Sequence, residues 1–129
     1  MMEALLTAHS VFRWVVILVA VAALGIAWMS SAGSRPWDGT SDRLTMLFPI
    51  AMDIQVLIGL LVWIFGQHWT GDTFVGWIHP ALMLAAVGLS HVGRARSERM
   101  PGAKEKARQA LLFFGLALLV VLVAIPLNS

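Results

Sequence analysis

Cysteine is absent from all 129 residues. Disulfides, thiolate-held iron–sulfur centres and covalent haem attachment through Cys-x-x-Cys-His are therefore excluded, and any metal or haem must rest on His, Met or carboxylate. Charge is also scarce, with Asp, Glu, Lys and Arg making up only 12% of the chain. No glycine-rich phosphate loop, nucleophile elbow, zinc-protease helix or nucleic-acid module is present. Met46, Met52, Met83 and Met100 form no dense cluster, which argues against copper bound through thioethers and for gap-filling. His68 and Asp72 lie near His79 in sequence, but their irregular spacing is a poor signal for a surface metal.

What the chain does contain is apolar surface. It is 59% hydrophobic with a mean hydropathy of +0.82, more than a water-soluble globule of this size can bury. Four stretches, at about residues 6–30, 42–66, 73–97 and 105–127, are long enough at about 1.5 Å per residue to cross a hydrocarbon layer of about 30 Å. The first lacks a basic leader and a clean small-residue cleavage site, so it reads as a retained helix. Short connections make neighbours antiparallel. The expected fold is all-α, a single up-down-up-down four-helix transmembrane domain over residues 1–129.

Gly33, Ser34, Pro36 and Gly39 break the chain after the first span, and Pro101 and Gly102 after the third. Ser41 and Asp42 read as caps for the second helix, and Asp72 or Thr73 for the third. Trp69 and Trp77 suit one aromatic belt, Trp28 and Trp37 the other. Ala20, Ala23 and Ala27, and on the third helix Ala81, Ala85 and Gly88, are expected at close helix contacts. Lys and Arg concentrate in the first and third connections, as Arg35, Arg43, Arg94, Arg96, Arg99, Lys104, Lys106 and Arg108. By the positive-inside rule these loops face the cytoplasm and both termini face outside. The net charge of +2 then reflects topology and contact with lipid headgroups, not nucleic acid.

Ionisable residues inside apolar spans mark functional positions, because burying them is costly. His9 and His79 open helices that enter from the same side, so they should share a depth, the arrangement in which two axial imidazoles hold a b-type haem. The plainer alternative is hydrogen bonding at the interface. Pro80 should kink the third helix beside His79. Arg13, one turn beyond His9, would pair with a haem propionate or a quinone carbonyl, or else snorkel outward. Asp53, near the middle of the second helix and close to Gln55, could meet His91, forming either a proton relay or a buried pair that sets helix register. His91 lies about 18 Å and about 120° from His79, so one haem cannot use both.

The run His9-Ser10-Val11-Phe12-Arg13-Trp14, then Asp53-Ile54-Gln55 with Gly59-Leu60, His79, and His91-Val92-Gly93-Arg94 resembles a family of small, largely uncharacterised bacterial four-helix membrane proteins, some labelled as b-type cytochromes. The plan is also similar to the cytochrome b561 group, whose four-helix members hold two haems and exchange electrons with quinone or superoxide. Two haems need four axial ligands, and the spans here offer His9, His79 and His91. The resemblance points to His9, Arg13, Asp53, Gln55, His79 and His91 as the residues to watch, and the ligand count fits one haem or none. The first expectation is a multi-pass protein of the bacterial cytoplasmic membrane that carries electrons through one haem b at His9 and His79, with quinone as a partner. The alternative expectation is a structural accessory subunit of a respiratory or photosynthetic complex. Either way, a homo-oligomer or a larger membrane assembly is expected.

Overall fold

The computed structural model describes residues 2–125. Four long helices, α1 (Met2–Ser31), α2 (Gly39–Phe65), α3 (His79–Arg99) and α4 (Ala103–Ala124), form a closed four-helix bundle. A short 3₁₀ turn, His68–Thr70, and a π-helical turn, Phe74–Ile78, connect α2 to α3. All four helices, with the π turn counted as part of the third, are long and apolar enough to cross a membrane. The chain is a multi-pass, all-helical membrane protein. Contacts run α1 to α2, α2 to α3, α3 to α4 and α4 back to α1, so α1 and α3 lie diagonally opposite. The expected end of the fourth helix at residue 127 lies outside the described residues.

A repeating step of three and four residues explains which face of each helix turns inward. Buried positions follow this step in every helix: Val16, Ala20, Ala23 and Ala27 on α1, Phe48, Met52 and Gln55 on α2, Met83, Ala86 and Ser90 on α3, and Ala110, Phe114, Ala117 and Val121 on α4. Such spacing keeps one stripe facing the bundle axis and suits shallow left-handed crossing. Alanine is the commonest seam residue, so backbones approach closely, and the large groups interdigitate: Phe48 and Phe114 meet edge to face with centroids 4.9 Å apart. Outward positions carry Leu, Val and Trp, as at Leu18 and Leu119, and suit contact with lipid acyl chains.

The helix ends follow local chemistry, but the expected caps of the second and third helices are not those observed; Thr73 makes no side-chain cap to the turn that opens the third span. α1 closes in a Schellman turn: Gly33 takes a φ of 82°, and the amides of Ser34 and Gly33 donate to the carbonyls of Met29 and Ser30. α2 is capped by Asp38, whose carboxylate accepts from the Ser41 amide at 3.1 Å, not by Ser41 or Asp42. Asp38 lies three residues before Ser41, where an N-cap oxygen reaches the first free amides. Ala81, Ala85 and Gly88 face outward and do not pack inside the bundle. They fall off the Met83–Ala86–Ser90 seam, and on α4 the seam alanines Ala107, Ala110, Ala117 and Ala124 make the close contacts.

Candidate functional site between His9 and His79

His9 and Arg13 continue the α1 seam, stepping back from Val16 by three and then four residues; His79 sits in the same way before Met83 on α3. The inward stripe thus turns polar at one end of the bundle. Across the diagonal, the imidazoles of His9 and His79 face each other with centroids 6.2 Å apart and planes at 89°.

The His79 ring and the His9 backbone are each held by a hydrogen bond. His79 Nδ1 lies 2.6 Å from the carbonyl oxygen of Ala124, one of the terminal carbonyls that α4 cannot satisfy internally. A carbonyl only accepts, so Nδ1 carries the proton and, in the neutral ring, Nε2 keeps the lone pair. On the other side, Gln55 Nε2 donates to the backbone carbonyl of His9 at 2.9 Å. Gly59, one turn along the α2 seam, makes room for the ring: a Cβ there would stand 2.9 Å from His9 Cε1. His9 Nδ1 and Gln55 Oε1 are both buried without a hydrogen-bond partner among the described residues.

Proline shapes the approach to His79. Pro80 has no amide hydrogen for the carbonyl four residues earlier, that of Gly76, and its ring crowds that carbonyl. Instead of a simple kink, the chain forms a π-helical turn just before the proline, with the His79 amide bonded to Phe74 O. The orphaned Gly76 carbonyl accepts from Trp63 Nε1 at 2.6 Å. Trp63 also packs on Trp69 and Trp77, with centroids 4.9 and 5.8 Å away, and this aromatic cluster lies next to the site.

A cavity of about 280 Å³ opens beside the imidazoles, with His9, Ser10, Arg13, Gln55, His68 and His79 among its walls. Arg13 also stacks on Trp14, with Cζ 5.2 Å from the ring centroid. A smaller space of about 80 Å³ between α2 and α3 shares His9, Gln55, His79, Pro80 and Met83 with it. Sequence reasoning missed two contributors. His68 lines the cavity with its Nδ1 buried, although its loop position suggested a surface site with Asp72. Gly59 carries no chemistry of its own and stood in the sequence only as part of the Gly59-Leu60 run of the resemblance, with no role assigned.

Asp53 and His91 do come together, with Nε2 2.7 Å from Oδ1, but each side chain is 52% exposed. This is a pair on the outer surface and not the buried pair expected. Gln55 does not join it. Residues 53 and 55 lie about 200° apart around the helix, so one faces out while the other reaches His9. Both Asp53 and His91 stand one residue beyond a seam position, Met52 and Ser90, which turns each toward the α2/α3 groove.

Comparison with protein-family models, with curated proteins and with solved structures finds no match.

Proposed function

We propose that this chain is a small electron carrier of the bacterial cytoplasmic membrane, with its termini outside, holding one b-type haem between His9 and His79 and exchanging electrons with a quinone. The observation that carries the reading is the pair of inward imidazoles on diagonal helices. Their centroids stand 6.2 Å apart, and His9 and His79 are the residues that would hold the haem iron. The bond from His79 Nδ1 to a carbonyl is the outer-shell support typical of metal-ligating imidazoles, because it orients the ring and leaves Nε2 to bind. Bound haem would supply one-electron chemistry. The chain's own part is to position the two rings, to offer Arg13 as counter-charge to a propionate or quinone oxygen, and to exclude water with the Trp63 cluster. At about 280 Å³ the cavity lies near the lower limit of ligand pockets, roughly 300 Å³, and the adjoining α2/α3 space extends it past the His pair.

Absorption spectra of the purified protein, oxidised and reduced, test this reading. A b-type signal that disappears in both His9→Ala and His79→Ala is expected. A colourless wild-type protein that stays folded after haem is supplied overturns it. That result would favour the second reading, a structural accessory subunit, which is supported by the half-exposed Asp53–His91 pair: a polar feature on the lipid-facing surface suits a partner helix better than lipid.

A further inference from the structure

We propose that the outer face of α2 and α3 is the contact surface between two copies of this chain, related by a twofold axis along the membrane normal, with Asp53 of each copy reaching the partner's His91. The inference is independent of haem. It starts from an energetic conflict. Asp53 stands at the middle of α2, and its side chain and that of His91 remain 52% exposed at a depth where the surroundings are hydrocarbon. Polar groups at that depth face a protein neighbour or a water-filled space. The 2.7 Å bond uses one carboxylate oxygen and one ring nitrogen, and the exposure leaves the pair open to further contacts.

Geometry selects the occupant. Two copies inserted in the same direction present identical residues at identical depths. A lone acid on such an axis would meet its own like charge, whereas an acid beside a base is self-complementary: rotation by 180° sets each carboxylate against an imidazole. The surrounding surface allows close approach. Gly88, one turn before His91 and about 60° from it around α3, lies beside the pair, and nothing lies within 4 Å of the position a Cβ would take there. α3 is also the least apolar of the four spans. Leu57, Leu60 and Leu84 flank the pair as exposed apolar residues; the outer face of α4, with Leu112, Leu116, Leu119 and Leu122, is equally apolar but has no such acid–base pair.

Because the chain has no cysteine, one introduced thiol is unique. Leu84→Cys, about 20° from His91 around α3, and Leu119→Cys, oxidised in native membranes, are expected to differ: the first forms a disulfide-linked dimer of the chain and the second stays monomeric. In detergent, Asp53→Leu should raise the dimer dissociation constant about tenfold, the scale of interhelical polar contacts in membranes, and exchanging the pair (Asp53→His with His91→Asp) should restore it. Equal cross-linking at both positions, a cross-link at Leu84 only to a protein of another mass, or a dimer indifferent to Asp53→Leu would each overturn the proposal. The Leu84 and Leu119 substitutions lie on exposed surface, so their outcome does not depend on a variant that fails to fold.

Discussion

Replacing Trp63 with phenylalanine keeps an aromatic ring beside Trp69 and Trp77 but removes the donor that serves the Gly76 carbonyl at 2.6 Å. That carbonyl has lost its intrahelical partner to Pro80, and Gly76 is buried. Leaving a buried acceptor unsatisfied costs about 1–3 kcal/mol, so Trp63→Phe should destabilise the protein by about 2 kcal/mol. The reasoning makes a sharper demand in a double-mutant cycle. Pro80→Ala returns an amide hydrogen four residues beyond Gly76, and the carbonyl then has a second possible donor. In that background Trp63→Phe should cost less, with a coupling of about 1–2 kcal/mol between the two sites. Reversible unfolding in mixed micelles, followed by circular dichroism for all four proteins, measures each corner. Additivity within about 0.5 kcal/mol would refute the claim that the indole substitutes for the donor proline lacks.

Gly59→Ala would place a methyl group 2.9 Å from His9 Cε1 while favouring the helix by roughly 0.5–1 kcal/mol; the expected result is an intact fold with reduced haem content, and an unchanged spectrum would separate Gly59 from the site. Arg94 ties the far end of α3 to α2 through the Asp42 carboxylate at 3.0 Å and Thr45 Oγ1 at 2.8 Å, and within α3 it pairs with Glu98 at 2.6 Å. Arg94→Ala should cost about 1–2 kcal/mol in the same unfolding assay, a figure reduced because both carboxylates are exposed. Asp38 titrates below the ordinary carboxylate range, held there first by the Ser41 amide and then by Arg35. Its contribution is therefore complete above the ordinary carboxylate value and fades as pH falls through its own lower one. Asp38→Asn retains a capping oxygen but has no proton to gain, so it should flatten the acid limb of the stability profile; an unchanged limb would remove Asp38 as its source.

Much of this protein is legible along the chain because a bilayer imposes simple demands. Apolar length sets the four spans, Pro and Gly mark where they break, and short connections make neighbours antiparallel. The inward face was also open to reading. Counting back from Ala27 by four and three through Ala23, Ala20 and Val16 arrives at Arg13 and His9, and a similar step on α3 leads from Ser90 through Ala86 and Met83 to His79. The same rule assigns Gln55 to the seam and Asp53 to its flank, two positions that adjacency in sequence had grouped together.

What the chain could not specify one helix at a time was the company each side chain keeps. That α1 and α3 stand on the diagonal, so that His9 and His79 face each other at 6.2 Å, depends on how four helices close around one axis. The recovery of the Gly76 carbonyl by Trp63 joins residues 13 apart through a turn whose path no periodicity encodes. The bond between His79 and Ala124 spans 45 residues, and the meeting of Asp53 with His91 spans 38. Periodicity follows from a helix's own geometry, and so it is written locally. Rotation and closure arise only when whole helices pack against one another.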